Sequence, residues 1–341
     1  MKKILLATTA LVGFAGAAAA EIKLDGYAEI GIDGGNNGYE TQFHNDWQVN
    51  FNFSSETDGG LSFGGKVQIE ETNSPAAING GLKIDDEAFW VSGSFGKVTL
   101  GETKGALDWA VPDVYSGSAI SDDHSTHAGA YWNTGLDGIY DDQIARYEYS
   151  FGDYGVAFSI EQDDTGVGDP VIGLGGKWSG NLGGTDVSAG IGYQTEGDAS
   201  TWSIAGQASL AGGFSVSLGY AGFDNDVALG KVFNTGMFVG NGVPVESWYG
   251  VGVAYTTGAL TVGANYSMYS VDSSAVAPGD SYDDPKGWGL VVNYDLGGGA
   301  VVMAGYGSSS GSSTVGGITS DYGAGNGHGD NTWSIGLGMS F

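Results

Sequence analysis

The sequence predicts an all-β protein, a sixteen-stranded antiparallel transmembrane β-barrel with short turns at one rim and long loops at the other. Three observations predict it. Apolar and polar residues alternate along many segments, and tight glycine-rich turns alternate with longer polar connections. The composition also combines 64 glycines and 12% aromatic residues with only 15% charged residues, which is too rich in aromatic residues for a disordered chain.

The alternation has a period of two residues, which is the period of a β-strand. The last segment shows it best, because large apolar residues from Trp333 to Phe341 alternate with serine and glycine. A soluble β-sandwich would need a second set of large inward residues to fill its core. The Gly, Ser and Asn faces of this chain do not provide one. We therefore expect the apolar face to contact lipid and the small polar face to line a water-filled lumen.

The strands follow from this alternation and from the turns between them. The predicted spans are 21–33, 45–56, 61–71, 84–94, 97–102, 143–151, 154–162, 171–180, 186–196, 200–210, 214–223, 247–257, 260–270, 287–296, 300–307 and 331–341. Eight longer connections are predicted at 34–44, 72–83, 103–142, 163–170, 196–200, 224–246, 271–286 and 308–330. Strands of about 9–11 residues suit a tilted membrane crossing. A barrel of about sixteen strands leaves an aqueous channel.

Tryptophans near the strand ends are predicted to form the aromatic girdles at the membrane interfaces. This set consists of Trp47, Trp178, Trp202, Trp248, Trp288 and Trp333.

Residues 1–20 are predicted to be a secretory signal peptide. Lys2 and Lys3 precede an apolar run, and Ala18 to Ala20 form a small-residue cleavage site. The apolar run is shorter than the roughly 18–20 residues that a membrane-spanning helix needs. We therefore expect the barrel domain to be 21–341, and to be exported and inserted as a multi-pass protein in the outer membrane of a Gram-negative bacterium.

Charge and cysteine content exclude several classes of partner and site. The chain has no cysteine, so neither disulfides nor thiolate metal sites are available. Without Lys2 and Lys3, nine basic residues stand against 40 acidic ones, a net charge of −31. Nucleic acid is therefore not expected as a partner, whereas cations and lipopolysaccharide with its bridging divalent ions are.

The connection at 103–142 is the unusual one. Unstructured connections longer than about 12–15 residues are uncommon in compact domains and are usually functional. Its aromatic residues can pack against a wall while its carboxylates face water, so we expect it to fold into the lumen. The acidic residues of this third loop are Asp108, Asp113, Asp122, Asp123, Asp137, Asp141 and Asp142.

Several segments resemble the general diffusion porins of the Rhodobacter type, from the alphaproteobacteria. They are AFWVSGSFGKVTLGETKGA at 88–106, the mature start EIKLDGYAEIG and the terminal Phe341 on an alternating strand. The resemblance implies a homotrimer of barrels through which small hydrophilic solutes diffuse. It also implies a third loop that narrows each lumen, with acidic residues facing basic residues on the opposite wall, and calcium bound by loop carboxylates.

Few basic residues are available for such a wall. The candidates are Arg146, Lys66, Lys23, Lys97 and Lys177. Arg146 alternates with Tyr147 and shares a strand face with Glu148, which predicts a lumen position for it. Because acidic residues outnumber these cations, the constriction is expected to be net negative and the channel to prefer cations.

Other functions have weaker support in the sequence. His124 and His127 are three residues apart, but a zinc site on a loop without cysteine is less expected than a solvated acidic tip. Asp122 and Asp123 are better candidates for calcium, since hard oxygen ligands suit that ion. No cofactor is required.

The alternative function is a secreted, acidic, glycine-rich calcium-binding adhesin. It is suggested by residues 325–330, which resemble one turn of a calcium-binding β-roll. Such turns stack in tandem, and no period of nine recurs here. No catalytic motif is present, and the histidines, His44 among them, fall in predicted loops, so we expect the protein not to be an enzyme.

Overall fold

In the computed structural model, the strands form a closed barrel of sixteen strands, each antiparallel to its neighbours. The structure describes residues 20–36, 40–71, 82–114, 117–120, 136, 143–162, 166–224, 243–321 and 331–341. Within these residues no helix has the length and apolar character needed to cross a membrane.

The elements in chain order are β1 (Glu21–Gly35), β2 (Gln42–Glu56), β3 (Ser62–Glu71), β4 (Leu82–Gly93), β5 (Gly96–Gly101), α1 (Ala106–Ala110), β6 (Ile144–Phe151), β7 (Tyr154–Glu161), β8 (Val171–Leu182), β9 (Thr185–Glu196), β10 (Ala199–Ser209), β11 (Phe214–Asp224), β12 (Val245–Thr257), β13 (Leu260–Val271), β14 (Ser281–Tyr282), β15 (Lys286–Gly297), β16 (Ala300–Ser310), β17 (Ser312–Val315), β18 (Ile318–Asp321) and β19 (Asn331–Ser340). All except β14, β17 and β18 belong to the barrel.

The barrel closes where the first and last strands pair. The register of β1 on β19 runs from Tyr27 opposite Ser340 to Gly35 opposite Thr332. Full closure leaves no unpaired strand edge in the wall, which is what a sheet surrounded by lipid requires. The sixteen predicted strands are confirmed, with end positions shifted by a few residues.

Three of the predicted connections differ from the expectation. The connection at 196–200 was expected to be long, but β9 ends at Glu196 and β10 begins at Ala199. Gly197 has a φ of 55°, which closes this hairpin tightly. In addition, the connections at 271–286 and 308–330 contain β14, β17 and β18, which form a separate three-stranded sheet.

The two faces of the wall divide as the alternation predicts. Large apolar side chains such as Leu24, Phe89 and Leu218 are exposed on the outside. Small polar side chains such as Ser203 and Ser217 are buried on the inside. The outer surface is therefore suited to lipid, because apolar side chains lose nothing by facing hydrocarbon.

Trp248 is an exception, and its assignment to the outer girdle is wrong. Its side chain is fully buried inside the barrel, 6.4 Å from the ring of Tyr269. Along β12, Trp248 is in step with Gly250 and Gly252 on the lumen face, whereas Tyr249 is exposed on the outside. Trp248 was assigned to the girdle as a large aromatic residue near a strand end, but the period of two places it inside.

Candidate functional site

The third loop turns into the lumen immediately after β5 and is held there by Arg146. The Nη1 of Arg146 donates to the Thr103 hydroxyl at 3.2 Å and to the carbonyl of Lys104. Its Nε donates to Glu148 Oε2 at 3.0 Å. Arg146 is buried, and its planar fork can serve these acceptors together. It therefore fixes the direction in which the loop departs from the wall.

Helix α1 then lies against a wall of glycines on β8 and β9. A Cβ added to Gly175 would lie 2.0 Å from the Ala106 carbonyl oxygen, and one added to Gly190 would lie 1.8 Å from that of Ala110. Gly173 and Gly192 leave similar space for Ala106 and Leu107. Only glycine permits so close an approach of two backbones. The backbone N–H of Ala106 also donates to Ser159 Oγ at 2.8 Å.

Beyond α1 the loop follows the wall, contacting strand after strand. Gln207 Nε2 on β10 donates to the Asp113 carbonyl at 2.6 Å. Val114 packs beside Trp248, in space left by glycines on β11 and β12. Asn293 on β15 donates to the Ser118 carbonyl at 3.1 Å.

The described part of this path ends at Ile120, on the strands that close the barrel. The hydroxyl of Ser334 donates to the Ile120 carbonyl at 2.7 Å. The Ile120 side chain lies over Gly31 on β1 and Gly336 on β19. The loop thus covers the lumen side of the wall from β7 round to β1.

A cavity of about 400 Å³ is left on the other side, against β1 to β6. Four of the five predicted wall cations line it: Lys23, Lys66, Lys97 and Arg146. The strand register explains why they meet. Lys23 on β1 is directly opposite Asn52 on β2, and Asn52 is directly opposite Lys66 on β3. The other two lie on β5 and β6, where Lys97 is opposite Glu148.

Carboxylates accompany most of these cations. Lys66 pairs with Asp86, which lies beside a β-bulge and has a φ of 50°, an uncommon value for a residue other than glycine. The bulge brings the Asp86 carboxylate to the Lys66 ammonium inside the barrel. The Oε1 of Glu148 lies 3.6 Å from Lys97 Nζ, and its Oε2 accepts a hydrogen bond from Arg146 Nε. Lys23 makes no ion pair with any described residue.

Lys177, the fifth predicted wall cation, does not line this cavity. Its Nζ is 3.5 Å from the centroid of the Trp109 ring and donates to the Trp109 carbonyl at 3.2 Å. It lines a second cavity of about 300 Å³, together with Lys104, Asp108 and Asp113. Asp108 pairs with Lys104 at 2.9 Å. Asp108 and Asp113, the described loop carboxylates, therefore line a different cavity from the four cations on β1 to β6.

The other predicted loop carboxylates lie outside the described residues. They are Asp122, Asp123, Asp137, Asp141 and Asp142, and the candidate calcium ligands are among them. Within the part of the chain that the structure describes, no three His, Asp or Glu side chains gather to hold a metal ion.

An acidic region of the lumen, towards the long-loop rim, was missed by the sequence analysis. Glu29 and Asp33 on β1 are buried, and Tyr27 donates to Glu29 Oε1 at 2.7 Å. Asp85 on β4 is a further acidic residue of the barrel and is paired with Lys83 at 2.8 Å. The alternation along β1 predicts a lumen position for Glu29 and Asp33, since each is an even number of residues from Lys23 and shares its face.

His44 was expected to be an ordinary solvated loop histidine, and that expectation is wrong. Strand β2 begins at Gln42, so His44 lies inside the barrel with a side chain only 9% exposed. Its Nε2 is 3.0 Å from Glu29 Oε2. The predicted strand began three residues later, at 45, because polar residues near the start of β2 resembled a loop.

Comparisons with known proteins agree with this architecture. The Gram-negative porin family matches residues 7–314. The porin of Rhodobacter capsulatus is 30% identical over 300 residues, covering 84% of this chain and 93% of that protein.

Two solved structures are similar in fold. A porin structure refined at 1.8 Å has a TM-score of 0.64 at 23% identity, covering 94% of this chain and 100% of that one. A triple mutant of Rhodopseudomonas blastica porin has a TM-score of 0.62 at 19% identity, with the same coverage. With the family match and the Rhodobacter capsulatus relative, the closed barrel and its inward loop lead to one conclusion: this chain belongs to the Gram-negative porin family, the channel-forming barrels of the outer membrane.

Proposed function

We propose that this porin is a passive channel for ions and small hydrophilic solutes, and that its route passes between the third loop and strands β1 to β6. One observation carries the proposal. The loop is bonded to the wall from Ser159 to Ser334, while a cavity of about 400 Å³ stays open beside β1 to β6. Solutes larger than this opening are excluded by size.

The channel prefers cations. Three of the four basic groups at the opening have carboxylates beside them, since Lys66 pairs with Asp86, and Glu148 is paired with both Lys97 and Arg146. Towards the long-loop rim, the buried Glu29 and Asp33 add negative charge to the lumen. Rings of acidic side chains favour cations.

Planar-bilayer recordings of the refolded protein in a KCl gradient test both parts of the proposal. We expect ohmic steps of current and a reversal potential whose sign shows that potassium crosses more readily than chloride. A reversal potential set by chloride contradicts the cation preference but not the channel. Absence of steps contradicts the channel itself.

The assembly proposed is a homotrimer in the outer membrane, surrounded by lipid and lipopolysaccharide. It rests on family membership and on an outer face made of large apolar side chains. Native mass spectrometry from detergent is expected to give three copies, and conductance steps to come in threes. A stable monomer at the same detergent concentration contradicts the trimer.

Structural calcium at Asp122 and Asp123, and removal of residues 1–20, are part of the same proposal. Thermal unfolding with and without a chelator tests the first. The N-terminal sequence of protein from the outer membrane tests the second, and is expected to begin at Glu21.

The adhesin alternative has no support in the closed barrel or in the family match. Porins are channels rather than a class of enzymes, and we propose no catalytic role. Phospholipase activity of the detergent-folded protein at a rate above that of an unrelated barrel contradicts this.

A further inference from the structure

Trp90 lines the proposed channel, and selection of solutes by size does not require a tryptophan there. It lies on the lumen face of β4 and lines the same cavity as Lys23, Lys66 and Lys97. It is directly opposite Gly64 on β3, and a Cβ on Gly64 would lie 2.8 Å from Cζ2 of the indole. The indole therefore leans over a wall position that has no side chain, beside the open space rather than across it.

The groups around this indole are donors of hydrogen bonds to an anion. Lys97 Nζ is 5.4 Å from the centroid of the Trp90 ring. Its distance of 3.6 Å to Glu148 is an ion pair but too long for a good hydrogen bond. Lys23, on the same cavity, has no ion pair with a described residue. Both ammonium groups therefore keep N–H donors available to a ligand.

Thr99 supplies a second and independent observation. It pairs with Trp90 across β4 and β5, lines the cavity and is only 4% exposed. Its Oγ1 is buried and has no hydrogen-bond partner within the described residues. Buried hydroxyl groups are normally hydrogen-bonded, so a hydroxyl without a protein partner at a cavity wall has a donor available for a ligand atom.

We propose that Trp90, Thr99 and Lys97 form a binding site for small aromatic carboxylates on the permeation route. The ring of the ligand stacks offset on the indole, an arrangement that aromatic pairs prefer. Its carboxylate accepts from the Thr99 hydroxyl and the Lys97 ammonium, as charge-assisted hydrogen bonds. Lys23 adds long-range attraction from β1. A cavity of about 400 Å³ is within the range of small-molecule sites.

The site deepens the proposed channel function and rests on it. The cation preference concerns the summed field of the lumen, whereas this site is a local group of donors beside an aromatic surface. A bound aromatic anion occupies the opening while it stays there, so binding is visible as a block of the ion current.

The test measures block of the KCl current by benzoate, with cyclohexanecarboxylate as a probe of the same charge and a similar size, and benzyl alcohol as a neutral aromatic probe. Benzoate is expected to reach half-block at a concentration about three to ten times lower than cyclohexanecarboxylate, which is the range of aromatic stacking. Benzyl alcohol is expected to block more weakly than benzoate. Equal block by the two carboxylates overturns the site, because charge alone then explains it.

Variants locate the site. Trp90→Leu is expected to remove the difference between benzoate and cyclohexanecarboxylate, and Thr99→Val to raise the half-blocking concentration of both about threefold or more. Trp288→Leu, on the lipid-facing side of β15, is the matched control and is expected to change neither. If Trp90→Leu keeps the benzoate preference, or Trp288→Leu abolishes it, the assignment to Trp90 is wrong.

Two results separate this proposal from the channel proposal. Absence of KCl current in the wild-type protein contradicts the channel. Normal KCl current without a benzoate preference contradicts only the aromatic site. If Trp90→Leu does not insert into the bilayer, the comparison of benzoate with cyclohexanecarboxylate on the wild type and the Thr99→Val variant still test the aromatic site.

Discussion

Gly190 on the barrel wall lies directly beneath Ala110 of the third loop, so that a Cβ on Gly190 would be 1.8 Å from the Ala110 carbonyl oxygen. Backbone therefore contacts backbone where the loop enters the lumen. The missing side chain sets how far the loop stands from the wall, and so how much of the lumen stays open on the opposite side.

Replacing Gly190 with valine is expected to lift α1 from β9 and to reduce the space beside β1 to β6. Overpacking of this kind costs about 1–3 kcal/mol. We expect a lower unit conductance and a lower midpoint of thermal unfolding. Gly176→Ala is the control, because the nearest atom to its added Cβ is 4.0 Å away. Unchanged conductance in Gly190→Val contradicts the seating of the loop on this glycine.

Arg146 is expected to hold the beginning of the loop through the shape of its guanidinium and not through its charge alone. Arg146→Lys keeps the charge but cannot serve Thr103, the Lys104 carbonyl and Glu148 together. We expect a noisier open-channel current and a loss of about 1–3 kcal/mol in unfolding free energy. The ion preference is expected to change little. A lysine variant with wild-type current noise and stability would show that charge is sufficient.

Trp248 is expected to behave as a core residue although it belongs to a membrane barrel. Trp248→Ala removes a fully buried ring that packs beside Val114 and Tyr269. Deleting such a ring costs about 3–5 kcal/mol. Trp202→Ala, on the outer face of β10, is the control and is expected to cost clearly less. Chemical denaturation in detergent measures both, and equal losses contradict the inward position of Trp248.

The ion pair between Lys66 and Asp86 is expected to contribute to selectivity at the opening. Lys66→Glu replaces a positive group of the cavity with a negative one, so the cation-to-anion permeability ratio should rise. Asp86→Asn keeps a residue that tolerates a positive φ and should lower that ratio. Reversal potentials in a KCl gradient measure both. Shifts of the same sign in the two variants contradict the assignment.

The sequence was sufficient to predict the barrel because each strand has one lipid-facing and one lumen-facing side, which imposes a period of two. The same alternation placed Lys23, Lys66, Lys97 and Arg146 on the lumen side, although only the strand register shows that they share one cavity. Their role as a wall that shapes permeation is still a prediction.

Positions that depend on contacts distant in sequence could not be predicted. Trp248 is a different case, because its alternation with Tyr249 already indicated the lumen face and only its place near a strand end suggested the girdle. In the sequence, the glycines on β8 and β9 look like ordinary small lumen residues. Their contact with α1 is visible only in the structure. Which cavity Lys177 lines likewise depends on where the loop lies.

In the proposed channel, a loop held against the inner wall limits flow through a water-filled barrel. The unit conductance of the wild-type channel, compared in the same bilayers with that of a variant lacking residues 113–137, measures this limit. We expect stable ion-conducting steps for the wild type and a larger unit conductance for the deletion. A deletion channel with the same or a smaller unit conductance would contradict it.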